Sequence, residues 1–164
     1  MTEDVRNSSE AKLRQGFCWL LVILWMACIF SFSAKTALES NAQSGQVIRT
    51  GAELMVPDFK ELPPPEQNDF ISQWQHTVRK SAHGIAFFVL GILCWLAAAQ
   101  HSWGRKKQTA AALTIPAAYA VFDEIHQLFV SGRAFMVADI GIDTLAAAVG
   151  VLLITLLVQA RKRA

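Results

Sequence analysis

Charge is scarce in this sequence. Asp, Glu, Lys and Arg make up 17% of its 164 residues, against ~25% in an ordinary soluble domain. Hydrophobic residues reach 53% and the mean hydropathy is +0.32, which argues against a soluble domain and for a membrane protein. The net charge is only +2, and no basic face interleaved with aromatics occurs, so nucleic acid is not an expected partner. Cysteine is sparse as well. Cys18, Cys28 and Cys94 sit inside apolar runs with no CxxC spacing, which excludes a disulfide framework and leaves them as small core residues. The HExxH zinc motif is absent, and no internal repeat is evident.

Four long apolar runs are present, spanning residues 17–33, 81–99, 109–130 and 137–158. Each approaches the ~20 residues that a helix needs to cross a bilayer. The first run, "FCWLLVILWMACIFSFS", also has a second reading as a signal peptide, since Lys12 and Arg14 precede it. Arg6, Lys12 and Arg14 lie before the first run. Arg105, Lys106 and Lys107 lie between the second and third, and Arg161, Lys162 and Arg163 follow the fourth. If all four runs cross, these clusters share one side, which the positive-inside rule makes cytoplasmic. The sequence thus predicts an all-α membrane protein: a four-transmembrane-helix bundle in the cytoplasmic (inner) membrane, with both termini cytoplasmic. A cytoplasmic tail covers 1–16, the membrane domain 17–158, an extracytoplasmic segment 34–80 within it, and a basic cytoplasmic tail 159–164.

In that outer segment, Pro63 to Pro65 read as a turn or an extended piece. Ile71, Trp74 and Val78 then recur at helical spacing, which suggests a helix lying on the outer membrane surface with Trp74 at headgroup level. Arg79, Lys80 and Arg133 fall on the outer side, against the positive-inside rule, and so call for a use other than topology.

The polar residues of the apolar runs are patterned. Asp123, Glu124 and Gln127 share one arc of the third helix, with Thr109, Pro116, Ala117 and Ala120 on or beside it. Ile115, Val121, Phe122, Ile125 and Phe129 lie opposite, toward lipid. Asp139 and Asp143 form an i,i+4 pair whose face continues through Ala146, Ala147 and Gly150. His83 shares a face with Phe87, Gly91, Cys94 and Ala98. At ~1.5 Å rise per residue, Asp123 lies ~10 Å and Asp143 ~9 Å below the outer helix ends. A charge at mid-bilayer costs at least ~2.5 kcal/mol, so these carboxylates must face inward and be paired, protonated or hydrated. The expectation is a polar pocket in the bundle, open outward, with Arg79, Lys80, His83 and Arg133 as counter-charges.

Three stretches bear a resemblance. "IFSFSAKTALESNAQSG", "RKSAH" (Lys80, His83) and "DEIHQLFVSGR" followed by "DIGID" carry Asp123-Glu124, Gln127, Gly132-Arg133, Asp139 and Asp143 in a spaced pattern. This pattern resembles the VanZ-like family, small membrane proteins named for a teicoplanin-resistance protein, over about residues 29–150. The chain departs from the family pattern in two places: the family often has an aromatic residue directly after the histidine and a Glu-Tyr pair soon after, where Gly84, Ala86 and Phe87 stand here, and a glycine near the position of Ala146. The resemblance implies that the first apolar run is retained as a transmembrane helix. It also implies a link to glycopeptide antibiotics and the cell envelope.

The ionisable set admits several chemistries. A structural network, with Arg133 bridging Asp123 and Asp139, fixes helix packing only. Recognition of an amphiphile at the outer leaflet would use Arg79, Lys80, His83, Asp123, Glu124, Gln127, Arg133, Asp139 and Asp143 around a phosphate or carboxylate headgroup. The partner would be a membrane lipid or lipid-linked envelope precursor. The alternative is a membrane hydrolase or transferase acting on a lipid headgroup. It would use His83 with Asp123, Glu124, Asp139 or Asp143 as acid and base, or a divalent metal held by these groups with His83 or His126. His126 lies nearer the helix flank and ranks below His83. Proton-coupled transport comes last, since four short spans make a small carrier.

Overall fold

The computed structural model describes residues 2–163. The side chains of residues 2–6 lie outside the description, and Arg6, one of the basic residues before the first run, is among them. Five α-helices and one 3-10 turn make up the described chain, with no strand. They are α1 (Thr2–Ser33), α2 (Ala37–Met55), the 3-10 turn (Phe59–Glu61), α3 (Pro64–Ala98), α4 (Arg105–Gln127) and α5 (Val137–Arg163). Three of them contain stretches long and apolar enough to cross a membrane: Asn7–Ser33, Pro64–Ala98 and Val137–Arg163.

The all-helical reading holds, and three of the four expected crossings fall on helices of this kind. The fourth, 109–130, falls on α4, which is not among them. Its ends carry Arg105, Lys106 and Lys107, then Asp123, Glu124 and His126, and its middle is rich in alanine. It ends at Gln127, short of Val130. Ile115, read as facing lipid, instead packs against the core, whereas Val121, Phe122 and Ile125 are exposed as expected.

The outer segment departs from its reading. The residues around Trp74 do not form a separate surface helix; they are the first half of α3, a continuous helix of 35 residues, ~52 Å long at ~1.5 Å per residue. The physical reason lies in the prolines. Pro64 and Pro65 occupy the first two helical positions, where a missing N–H costs nothing and the fixed φ suits the helix. No proline follows them, so nothing breaks the helix before Ala98.

Helix α3 is the hub. It packs against α1, α2, α4 and α5, and α5 packs against α4 as well. Val22 and Ile29 of α1, Phe87, Leu90 and Cys94 of α3, Ala112 and Ala120 of α4, and Val151 of α5 form the main core. The approach of α3 to α5 is close. A Cβ at Gly91 would collide with the Ala147 carbonyl, and one at Gly150 with the Phe88 carbonyl. Small residues permit this backbone contact, as in membrane bundles. Bulky side chains point outward instead: Phe17, Leu20 and Leu24 on α1, and Leu145, Val149 and Leu152 on α5, are exposed. An apolar rim of this size marks a surface built to meet hydrocarbon.

Helix α2 starts with a complete capping box. The Glu39 N–H donates to Thr36 Oγ1 at 3.3 Å, and the Thr36 N–H donates to Glu39 Oε2 at 2.9 Å. The Thr36 hydroxyl, which donates to Glu39 Oε2 at 2.8 Å, and then the Thr36 N–H hold the Glu39 carboxyl below its usual range. A second small core of Ile48, Ala52, Phe59 and Ile71 seats α2 and the 3-10 turn on the N-terminal half of α3.

Candidate functional site

The site begins with one buried carboxylate. Asp123 of α4 is 1% exposed. Its Oδ2 accepts from Ser33 Oγ at 2.9 Å and from Gln127 Nε2 at 3.0 Å, and lies 3.2 Å from His83 Nε2. The other oxygen, Oδ1, is buried without a partner. The same His83 nitrogen lies 3.4 Å from Asp143 Oδ2. One imidazole edge therefore joins α3 to α4 and α5, and Ser33 brings in the end of α1. Small residues build this convergence, because the close α3–α5 approach sets His83 against Asp143.

The other acids find separate partners. Glu124, also 1% exposed, accepts the Met136 backbone N–H at 2.9 Å, which ties α4 to the start of α5. Asp139 pairs with Lys80. Arg133 therefore does not form the bridge to Asp123 and Asp139: its Nε donates to the Lys35 carbonyl at 3.4 Å. The reason is local. Gly132 takes φ +76, and the loop is stapled to the start of α2 by the Ala37 N–H donating to the Ser131 carbonyl at 3.1 Å. That turns Arg133 toward the α1–α2 link. Arg79 likewise reaches a neutral acceptor, Asn41 Oδ1, at 2.9 Å.

His126 stands apart from the cluster. Its ring packs on Phe30 at 4.1 Å, and its Nδ1 is buried without a partner. Among the described residues no three His, Cys, Asp or Glu side chains are grouped as a metal site.

A cavity of about 820 Å³ opens beside this cluster. His83, Glu124, Gln127, Asp139 and Asp143 line its polar floor. Trp25, Ile29, Ile85 and Ile142 form an apolar wall, and Lys35, Arg79, Lys80 and Arg133 also face it. Asp123 is sealed behind His83 and does not line the space. Burial first, then the like charge of Arg79, presses the Arg133 guanidinium below its ordinary range, with Asp123 and Glu124 acting in the opposite sense.

Sequence reasoning missed Ser33, Lys35 and Asn41. A signal existed for the first. Val22, Ile29 and Ser33 recur at helical spacing on α1, and all three are buried, so the serine belongs to the bundle-facing stripe. Nothing in the spacing marks Lys35 or Asn41, whose roles depend on how α2 and the link before it fold back on α3.

Long apolar helices, an exposed hydrocarbon surface and an inward cluster of acids around a histidine together define a small helical membrane protein with a buried polar cluster. The particular family follows from comparison: the VanZ/LLP1 family model matches residues 17–158, and the chain belongs to that family. No curated protein and no solved structure matches the chain.

Proposed function

We propose that this protein recognises an amphiphilic or lipid-linked molecule of the cell envelope in a pocket open to the outer leaflet of the inner membrane. In this reading α4 crosses the bilayer as the fourth span, shielded by its neighbours, and both termini are cytoplasmic. The basic groups Arg105 to Lys107 and Arg161 to Arg163 support that orientation. So does the burial of Asp123 and Glu124, the acids that weaken α4 as a span, inside the bundle.

The carrying observation is the composition of the cavity. Aliphatic and aromatic side chains line part of it, basic side chains and hydrogen-bonding groups line the rest, and the volume of about 820 Å³ falls within the ~300–1,000 Å³ usual for ligand sites. A chain and a headgroup need those two halves together. A lipoglycopeptide such as teicoplanin has the same two-part chemistry, and this is the physical content of a link to resistance.

The test is mass spectrometry of amphiphiles copurified with the full chain. The wild type should retain a defined species, and Ile142→Trp, which fills the apolar wall, should lose it. An identical lipid complement on both proteins would reject the reading.

A second reading has an observation of its own. His83 turns Nε2 toward two carboxylates, and its Nδ1 has no protein partner among the described residues. A carboxylate that fixes the tautomer leaves the far nitrogen free as a proton acceptor. Chemistry on a headgroup would use that nitrogen. Turnover of a copurified lipid by the wild type but not by His83→Gln, with both proteins folded, would favour this reading over simple binding.

A further inference from the structure

The cavity's cations fall into two kinds. Lys80 is neutralised by Asp139. Lys35, Arg79 and Arg133 have no carboxylate within ion-pair distance among the described residues. Each rests on a neutral oxygen instead: Lys35 Nζ donates to Gln43 Oε1 at 2.9 Å, Arg79 to Asn41 Oδ1 at 2.9 Å, and Arg133 to the Lys35 carbonyl at 3.4 Å. All three line the same cavity.

They also come from three separate segments: the α1–α2 link, α3 and the α4–α5 loop. The link and the loop are fastened backbone to backbone, through the Ala37 N–H on the Ser131 carbonyl and through Gly132, whose missing Cβ makes room for Ala37. The fold therefore draws like charges together with uncharged bonds. That arrangement is unfavourable by itself. It becomes favourable when an anion enters, because guanidinium and ammonium donors on a phosphate make charge-assisted bonds.

We infer that Lys35, Arg79 and Arg133 form a phosphate-binding triad at the mouth of the cavity, and that the ligand is a lipid whose net negative charge resides on that phosphate. The inference rests on the amphiphile reading above and narrows it to one headgroup class. The hydrocarbon chain lies along Trp25, Ile29, Ile85 and Ile142, which face the same space. Lys80 takes no part, since Asp139 already holds it.

The experiment is native mass spectrometry of the full chain in detergent, titrated with phosphatidylglycerol or with diacylglycerol of the same chains. Phosphatidylglycerol should bind at least about tenfold tighter. Each of Lys35→Gln, Arg79→Gln and Arg133→Gln should weaken it roughly tenfold and leave diacylglycerol unchanged. Lys60→Gln, a charge loss outside the cavity, should alter neither. Added salt should weaken phosphatidylglycerol binding alone, a readout on the wild type that needs no variant to fold. Equal affinity for the two lipids would overturn the triad while leaving the amphiphile reading intact. No lipid displaced by Ile142→Trp would overturn both. Inorganic phosphate that displaces phosphatidylglycerol at equal concentration would overturn the lipid as the source of the phosphate.

Discussion

Asp123 offers the sharpest test of the site, through the contrast between Asp123→Ala and Asp123→Asn. Its Oδ2 receives Ser33, Gln127 and His83, while Oδ1 receives nothing. Alanine would strand the donors. Ser33 and Gln127 are buried, so the loss is about 2–6 kcal/mol at ~1–3 kcal/mol for each unsatisfied buried donor. His83 is left out of this sum because it borders the cavity and can turn to it. Asparagine is different. Its oxygen can keep the Oδ2 place, and its amide nitrogen then stands where Oδ1 has no partner, exchanging one buried unsatisfied acceptor for one buried unsatisfied donor at little net cost. Three charge-assisted bonds then become neutral ones, each weaker by ~1 kcal/mol, offset in part by removal of a buried charge. Asp123→Asn should therefore remain within ~1–2 kcal/mol of wild type, with Asp123→Ala several kcal/mol below it. Denaturant unfolding of the purified protein in micelles, read by tryptophan fluorescence, measures both. Equal stability of the two variants would refute the assignment of Oδ2 as the shared acceptor.

Other perturbations separate neighbouring parts of the structure. Gly91→Ala pushes a methyl into the Ala147 carbonyl and should cost ~1–3 kcal/mol as an overpacked contact. Gly84→Ala meets only Ala146 Cβ at 3.9 Å and should be neutral or stabilising by ~0.5–1 kcal/mol; the same unfolding assay ranks the pair. Gly132→Ala meets both a positive φ and the Ala37 side chain, so it should detach the loop, seen as faster amide exchange at Ala37. Thr36→Ala should speed exchange across the first turn of α2. The Glu39 carboxyl is depressed in the folded state, first by the Thr36 hydroxyl. Its contribution is therefore present above the unfolded carboxyl pKa and lost as pH falls through the folded one. Wild-type protection factors in that turn, taken against the intrinsic exchange rate at each pH, should fall on acidification toward the Thr36→Ala level.

The sequence exposed those parts of the site that periodicity governs. Asp123, Glu124 and Gln127 share an arc, and all three are buried. His83 and its face-mates Phe87, Gly91, Cys94 and Ala98 run along the inner side of α3. What periodicity does not encode is partner choice. The sequence reading gives Asp139 to an Arg133 bridge, whereas Lys80 holds it. The outcome turns on a left-handed glycine and one backbone bond from Ala37 to Ser131, both products of how two distant loops meet. The α3 prolines misled for a related reason. Proline stops a helix that precedes it and starts one that follows, and Pro64 and Pro65 do the second. Helix α4 has polar residues of two kinds: Asp123, Glu124 and Gln127 are buried and form an inner face, whereas Arg105, Lys106 and Lys107 at its start are exposed.

The buried acids and the cations that line the cavity, taken as a deep tier and a rim, bear differently on a packing network and on a site. Every acid in the deep tier has a partner: Ser33, Gln127 and His83 for Asp123, His83 for Asp143, Lys80 for Asp139, the Met136 amide for Glu124. A network that only fixes helix packing explains this tier completely. It does not explain the rim. If the cations were there to neutralise the acids, Arg133 would turn to the floor, where Asp123 and Glu124 already act on it electrostatically. The loop geometry holds it off, and Arg79 and Lys35 are held off by an asparagine and a glutamine. Packing alone has no need of unpaired cations around a half-apolar space, whereas a ligand with a negative head and a greasy tail needs both. The deep tier builds the bundle, and the rim is where binding should be sought.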